Sequence, residues 1–241
     1  MRSGAAPVPD PGRRRGEEVA RMFGAIAPTY DLLNHLLSLN VDRLWRRRAV
    51  GALDPRPGEV VVDLCTGTGD LALALGRRGA RVLGVDFSRP MLERARRKGG
   101  GRPLRWVLGD ALRLPLRDRC ADGITVAFGV RNFEDLPAGL QEMARVLKPG
   151  GRLVVLEFSQ PRPGCFGFLY RLYFQKVLPA VGHVVSGVRG PYGYLPATVD
   201  LFPGPQAFAE LLREAGFGAV VQRPLTGGIA TLHAARREGG P

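Results

Sequence analysis

Residues 60–70 constrain the fold of this chain more than any other stretch. They read VVVDLCTGTGD, a β-branched run that ends in an acid and leads into a glycine-rich turn, and an amphipathic run follows at residues 71–75. This order predicts a strand, a tight turn and the start of a helix, which gathers backbone N–H groups and a carboxylate at the carboxyl end of the strand. In open α/β sheets such a crevice binds nucleotide-like cofactors.

Strand-like and helix-like patterns alternate after the breaker cluster at residues 54–58. Later strands are predicted at residues 81–85, 104–108, 123–128, 152–158, 217–222 and 229–234, and helices at 91–98, 136–147 and 206–215. Ser88 is expected to cap the first of these helices, with Pro90 near its first turn. The rhythm predicts an α/β fold with a Rossmann-like, doubly wound, seven-stranded and mostly parallel sheet, whose last two strands form an antiparallel edge.

Two segments lie outside this alternation. Residues 17–53 show helical spacing, interrupted at Pro28 and with Asn40 as a candidate cap, and they form either a lid over the crevice or ordinary packing helices. The aromatic insert at residues 159–203 is either a wall for an apolar substrate or an ordinary helix that covers the sheet. We expect a basic, disordered arm at residues 1–16 and a single domain over residues 17–241.

Three acids, Asp63, Asp86 and Asp110, each follow an apolar run. Neighbouring strands of a parallel sheet end at the same edge, so we expect the three carboxylates to line one crevice. Asp86 lies where a carboxylate binds the two hydroxyls of a ribose, an arrangement that also fits a dinucleotide dehydrogenase. The spacing of Gly67, Gly69 and Ala72 matches the loose fingerprint of that class as well.

The number of acids favours a cationic cofactor. Asp110 can accept a hydrogen bond from an adenine amino group, while Asp63 and Asp70 place negative charge where a pyrophosphate would be repelled. S-adenosylmethionine carries an adenosine, a sulfonium and an ammonium group, and on electrostatic grounds it is preferred here over a nicotinamide dinucleotide.

The order of several motifs resembles that of class I S-adenosylmethionine methyltransferases, and more narrowly the menaquinone/ubiquinone C-methyltransferase family. The stretches that carry the resemblance are residues 22–34, 44–47, 63–70, 128–132, 145–151, 156–159 and 192–195. The most specific are Tyr30-Asp31-x-x-Asn34, Phe128-Gly129-x-Arg131-Asn132 and Tyr192-x-Tyr194-Leu195. The resemblance covers residues 17–234, which is nearly the whole chain.

The resemblance implies a cofactor site and two departures from the family pattern. Contacts with S-adenosylmethionine are expected from the turn and strand ends, at Asp63, Gly67, Thr68, Gly69, Asp86, Asp110 and Ala111. Many relatives have asparagine where this chain has Asp110, which accepts from adenine but cannot donate. Some have serine where this chain has Ala127, so a contact through that hydroxyl is lost.

The implied reaction is transfer of a methyl group to a ring carbon of a reduced prenylated quinone. Demethylmenaquinol is the preferred substrate, and the benzoquinol of ubiquinone synthesis is the alternative. Arg131 is a candidate for stabilising a phenolate or orienting a water, unless it only forms a salt bridge with a neighbouring acid. Tyr30 and Tyr194 are candidates for binding the substrate or relaying a proton, and a purely structural role is the alternative for both.

Other readings remain open at this point. The formal net charge of +13 fits arginine-rich codon usage, or attraction to an anionic surface such as nucleic acid or phospholipid. A methyltransferase acting on RNA or protein is one rival, although residues 127–130 lack an N/D-P-P-Y-like motif, and a cofactor-binding or lipid-carrier module without chemistry is another.

The remaining expectations concern location and partners. Three scattered cysteines indicate a reduced, cytoplasmic protein. Without an apolar run of about 18 residues, we expect peripheral contact with the inner face of a membrane and no crossing of it. No nucleic-acid partner and no metal are expected, a homodimer is left open, and His35, His183 and His233 are assigned structural roles.

Overall fold

A mixed β-sheet runs through the centre of the chain. The computed structural model describes residues 9–12, 16–99, 104–161, 164–177 and 191–239. Seven strands are found within them: β1 (Val60–Leu64), β2 (Arg81–Asp86), β3 (Leu104–Leu108), β4 (Ala121–Ala127), β5 (Leu147–Phe158), β6 (Phe217–Leu225) and β7 (Ala230–Arg237). Their spatial order is β3-β2-β1-β4-β5-β7-β6.

The pairing of the strands confirms the predicted architecture. β1 to β5 pair in parallel, and β7 pairs antiparallel with both β5 and β6. The last strand of the chain therefore inserts between β5 and β6, and β6 forms the edge. The order reverses between β1 and β4, so the carboxyl ends of these two strands open the crevice in which α/β sheets bind ligands.

Helices cover both faces of the sheet. They are α1 (Gly16–Ile26), α2 (Tyr30–Leu37), α3 (Val41–Leu53), α4 (Asp70–Gly76), α5 (Arg89–Gly99), α6 (Leu136–Val146), α7 (Cys165–Leu172), α8 (Pro191–Leu201) and α9 (Pro205–Glu214). One face packs against α6 and α9, through side chains such as Leu140, Met143 and Phe208. The other packs against α3 and α4, through Trp45 and Leu75 among others. Since α3 shares this second core, it is a packing helix rather than part of a lid.

Local expectations were met only in part. The break at Pro28 is present, because α1 ends at Ile26 and α2 begins at Tyr30. Asn40 precedes α3 but adopts a left-handed conformation (φ 61°) and makes no capping hydrogen bond with its side chain, so that prediction was wrong. Ser88 precedes α5, yet its hydroxyl has no hydrogen-bond partner among the described residues, so the cap predicted there is also absent.

Some predictions lie outside the described residues. They concern most of the basic arm (residues 1–8 and 13–15), and residues 162–163 and 178–190 of the insert, which include His183. The rest of the insert forms α7, a π-helical turn at Tyr173–Val177 and α8. No helix in the described part of the chain is long and apolar enough to span a bilayer.

Candidate active site

A cavity of about 130 Å³ lies at the carboxyl ends of β1, β2, β3 and β4. It is lined by the turn at Cys65 and Gly67, by Asp86 and by Asp110-Ala111, and α1 contributes residues that include Phe23. The structure therefore brings together the ends of four strands and the cap helix α1, as expected for a cofactor crevice.

The glycine turn requires its glycines for steric reasons. Gly69 has φ 86°, and a β-carbon there would lie 2.6 Å from the ring of Trp106 on β3. Gly67 also has a positive φ (56°), and its N–H donates to the Asp86 carboxylate at 2.7 Å. That amide is already bound to a carboxylate, so it is not available to a phosphate group.

Asp86 connects the turn to the end of β2. One carboxylate oxygen accepts from the N–H of Gly67, and the other accepts from the N–H of Ser88 at 2.8 Å. Desolvation raises the pKa of Asp86, while these backbone donors act in the opposite direction. The carboxylate is therefore held in a fixed orientation on the wall of the cavity.

The three strand-end acids do not share one environment. Asp86 and Asp110 line the cofactor cavity, and Asp110 also accepts from the N–H of Leu112 at 2.9 Å. Asp63 is 1% exposed and accepts from the hydroxyls of Thr66 and Thr125, each at 2.6 Å. Burial raises its pKa to about 6, and it lies beside a small adjoining cavity of about 30 Å³. Two of the acids thus face the main cavity, and the third supports the turn from behind.

An ionic network fastens α2 to the turn. The hydroxyl of Thr68 is bonded to the carboxylate of Asp31, and Lys98 Nζ lies 2.7 Å from Asp31 and 2.6 Å from Asp70. Thr68 is 3% exposed and borders the cavity of about 30 Å³ rather than the cavity of about 130 Å³. His35 extends the network, with Nδ1 2.9 Å from Asp42 and Nε2 3.6 Å from Asp70.

Two buried polar atoms, in residues that line the cavity of about 130 Å³, have no hydrogen-bond partner among the described residues. They are Ser88 Oγ and Asn132 Oδ1. Buried polar atoms are rarely left unsatisfied in folded proteins, so this pair indicates a polar ligand between β2 and the turn after β4. Together with the two acids, these atoms fit a ligand that has hydroxyl and amino groups and a positive charge. Our sequence reasoning assigned neither residue to the site, although Asn132 belongs to the quoted motif with Arg131.

A second, larger cavity of about 510 Å³ adjoins the first. Its walls are mostly aromatic and aliphatic, with Trp45, Phe128, Phe158, Tyr170 and Phe174 among them. Phe23, Tyr30 and Phe128 line both cavities. Tyr30, Arg131 and Tyr194, which the sequence proposed as catalytic residues, all line the larger cavity.

Arg131 is 5% exposed and is paired with an acid, as the alternative interpretation expected. Its Nη1 donates to Glu157 Oε1 at 2.7 Å and to the carbonyl of Phe128 at 2.5 Å, and its guanidinium lies over the ring of Phe158. Glu157 is 1% exposed and also accepts from two backbone N–H groups, those of Arg131 and Phe158. Because its partner is 26 positions away, sequence reasoning missed Glu157.

The two tyrosines line the same cavity. Burial raises the pKa of Tyr30, while a hydrogen bond with Asn34 and the charges of Arg131 and Arg46 act in the opposite direction. Tyr194 is 3% exposed and lies on α8, so the insert supplies one wall of the cavity. In the described part of the chain, no group of three or more His, Cys, Asp or Glu side chains lies close enough to hold a metal ion.

Comparison with solved structures identifies the fold. A structure titled SAM-dependent methyltransferase, possible histamine N-methyltransferase, from Thermotoga maritima has a TM-score of 0.64 and 21% identity, covering 90% of this chain and 98% of that one. The sheet order and the crevice are thus those of a Rossmann-like methyltransferase fold.

Sequence comparison identifies the family. The ubiE/COQ5 methyltransferase family matches residues 13–237. The demethylmenaquinone methyltransferase of Thermus thermophilus is 51% identical over 220 residues, covering 90% of this chain and 100% of its own length. That of Deinococcus radiodurans is 50% identical over 222 residues, covering 90% and 92%. The chain belongs to the ubiE/COQ5 methyltransferase family and is an S-adenosylmethionine-dependent methyltransferase, which confirms the resemblance seen in the sequence.

Proposed function

We propose that this enzyme methylates a ring carbon of demethylmenaquinol, a reduced prenylated naphthoquinone. The observation that carries the proposal is the apolar cavity of about 510 Å³, which joins the cofactor cavity at Phe23, Tyr30 and Phe128 and contains one buried arginine–glutamate pair. Its volume falls within the range of about 300–1,000 Å³ that is typical of small-molecule sites. Similarity to relatives named demethylmenaquinone methyltransferase favours the naphthoquinol over the benzoquinol.

The cofactor residues follow from the walls of the first cavity. In our proposal Asp86 binds the ribose hydroxyls, Asp110 and Ala111 meet the adenine, and Ser88 Oγ and Asn132 Oδ1 gain the partners they lack. Asp63, Gly67, Thr68 and Gly69 shape the turn beneath the amino acid part, and Thr68 acts through its bond to Asp31. When bound, S-adenosylmethionine supplies a methyl group on a cationic sulfur.

The chemistry requires the substrate to become a carbon nucleophile. Loss of a phenolic proton moves electron density to the ring carbon, which forms a bond to the methyl carbon while the carbon–sulfur bond breaks toward sulfur. The ring C–H proton then leaves, aromaticity returns, and the phenolate oxygen takes up a proton again, so each turnover releases one net proton. The protein supplies proximity, a proton acceptor and stabilisation of developing charge.

Arg131, Tyr30 and Tyr194 are the residues to which we assign this catalysis. The Arg131–Glu157 pair is neutral as a whole, so in our proposal Arg131 stabilises the phenolate oxygen by a directed hydrogen bond rather than by net charge. Tyr30 lines both cavities, where it is suited to hold the ring edge next to the methyl donor. Tyr194 contributes a second hydroxyl from the wall formed by α8.

We also propose that the enzyme works at the inner face of the cytoplasmic membrane, without crossing it. Ligand sites of this volume hold drug-sized molecules, so a long prenyl tail extends out of the cavity. A substrate whose tail is dissolved in lipid then reaches the enzyme most directly from a bilayer surface.

A methyl-transfer assay tests the proposed function. The purified protein is incubated with methyl-labelled S-adenosylmethionine and either a reduced short-chain demethylmenaquinone or the corresponding benzoquinol. We expect the label in the naphthoquinol, at a kcat/KM at least tenfold above that for the benzoquinol. Preferred methylation of the benzoquinol would reverse the substrate assignment, and binding of the cofactor without methylation of either quinol would overturn the proposal.

A further inference from the structure

The α2 segment carries apolar side chains on its outer side. Leu32, Leu36 and Leu39 are 61%, 49% and 80% exposed. Leu32 and Leu36 are four residues apart and share one face of α2, and Leu39 lies in the turn that follows the helix. Leu33, which follows Leu32 in sequence, is fully buried, so the exposed leucines are not needed for packing inside the domain.

The α7 segment shows the same feature. Phe168, Leu169 and Leu172 are 63%, 62% and 50% exposed, and they too lie on one helical face. The two segments are adjacent, since the hydroxyl of Tyr173 donates to the carbonyl of Leu37 at 2.8 Å. Two apolar stripes on neighbouring helices form a larger exposed patch than scattered surface residues do.

The mouth of the larger cavity lies between these stripes. Leu39 and Leu169 are both strongly exposed, and both line the cavity of about 510 Å³. A molecule that entered from this side would pass over apolar side chains all the way to Phe158 and Phe128 in the cavity wall.

The exposed charged side chains of α3, α7 and the turn after α7 are all basic. Arg43 and Arg47 on α3, Arg171 on α7 and Lys176 in the following turn are exposed. The two acids of α2 and α3 are each paired with a cation, Asp31 with Lys98 and Asp42 with Arg46. Exposed apolar side chains fringed by basic ones are the composition of surfaces that bind anionic phospholipid.

We propose that these stripes form a membrane-docking surface, made of Leu32, Leu36, Leu39, Phe168, Leu169 and Leu172 with the four basic residues around them. The partner is a bilayer that contains anionic phospholipid, against which the cavity mouth opens. The proposal rests on the proposed function, because it is the prenyl tail of the quinol that would pass between the bilayer and the cavity. The proposed docking surface includes α2, a helix that lies outside the aromatic insert.

Vesicle co-sedimentation tests this surface. The variants are Leu32→Glu/Leu36→Glu and Phe168→Glu/Leu172→Glu, which leave the cavity lining unchanged. The matched control is Leu201→Glu/Val221→Glu, whose residues are 55% and 47% exposed and lie outside the two stripes. We expect the wild type and the control to sediment with phosphatidylcholine/phosphatidylglycerol vesicles, and each stripe variant to bind at least tenfold more weakly. Binding of the wild type to pure phosphatidylcholine, and binding at high salt, should be weaker as well.

Activity measurements separate this proposal from the proposed function. The stripe variants should methylate a short-chain, water-soluble quinol at the wild-type rate, and lose most turnover of a long-chain quinol embedded in vesicles. The proposed docking surface would be refuted if the stripe variants bound vesicles as tightly as the wild type does. It would also be refuted if the wild type did not sediment with vesicles. A wild-type dimer that the stripe substitutions dissociate, as measured by light scattering, would refute it as well. Failure of the wild type on the short-chain quinol would instead count against the proposed function, whatever the vesicles show.

Discussion

Replacing Glu157 by glutamine should destabilise the protein strongly. Glu157 is 1% exposed and Arg131 is 5% exposed, so the substitution leaves a buried guanidinium without a compensating charge. Removing one partner of a buried ion pair costs about 3–5 kcal/mol. Glutamine keeps one carbonyl oxygen for the backbone N–H groups of Arg131 and Phe158, which places our expectation near the lower end, at about 3 kcal/mol. For a chain of this length, that corresponds to a fall in Tm of roughly 6–12 °C.

A matched pair elsewhere provides the reference. Glu142 and Arg145 are also 2.7 Å apart, but the arginine side chain is 32% exposed and the pair lies on α6. Glu142→Gln should therefore cost only about 1 kcal/mol. Urea denaturation of both variants measures the difference. A double-mutant cycle then compares Arg131→Met, Glu157→Leu and the double variant Arg131→Met/Glu157→Leu, and the double variant should be more stable than the sum of its two single substitutions predicts, by more than about 1 kcal/mol. Equal costs at Glu157 and Glu142, or additivity within 0.5 kcal/mol as is typical of independent sites, would refute the reasoning.

Three further predictions concern the turn and the catalytic wall. Arg131→Ala should lower kcat at least about 100-fold, because Arg131 lines the larger cavity and not the cofactor cavity. The Kd for S-adenosylmethionine, measured by calorimetry, should change less than about threefold. Equal losses in kcat and in cofactor affinity would make the role of Arg131 structural. Gly69→Ala should weaken cofactor binding and stability together, since its β-carbon would lie 2.6 Å from Trp106 and its φ is 86°; a variant with wild-type Tm and Kd would contradict the steric argument. Asp63 binds its proton more tightly when folded, with a pKa of about 6 against an ordinary value of 3.8, so its ionisation opposes folding as the pH rises through this window. The wild type should lose about 2 kcal/mol between pH 4 and 6.5 relative to Asp63→Asn, as followed by urea denaturation, and parallel curves would exclude this assignment.

The sheet was predictable because its signals are local. β-branched runs, glycine turns and the 3.6-residue spacing of the helices are each visible within a few positions, and they located all seven strands. The environments of the strand-end acids could not be predicted from such local signals. Asp63 and Asp110 both follow an apolar run, but Asp63 lies within β1, one residue before its end, whereas Asp110 lies two residues beyond the end of β3. Asp63 is buried against the hydroxyls of Thr66 and Thr125, while Asp110 lines the cavity, and the strand ends predicted from the sequence do not reveal this difference.

Pairing across the sheet was the part that the sequence could not supply. Glu157 meets Arg131 because β5 lies next to β4, and nothing in the spacing of the two residues indicates it. The failed cap at Ser88 has a similar cause. Asp86 accepts a hydrogen bond from the N–H of Ser88, and the buried serine hydroxyl is left without a partner among the described residues, in a residue that lines the cofactor cavity. A hydroxyl that looks like a helix signal in the sequence thus becomes a candidate ligand contact in the structure.

The division of charge between the two cavities bears on how the reaction can proceed. The cofactor cavity is lined by three acids, Asp86, Asp110 and Glu134, which suit a sulfonium, whereas the charge of Arg131 in the lining of the larger cavity is balanced by Glu157. An unpaired Arg131 beside the larger cavity would repel the positive sulfur across the shared wall of Phe23, Tyr30 and Phe128. Because the pair is neutral, Arg131 can offer a hydrogen bond to the phenolate without opposing the methyl donor. Glu157 is then needed for the electrostatic compatibility of the two sites as well as for stability.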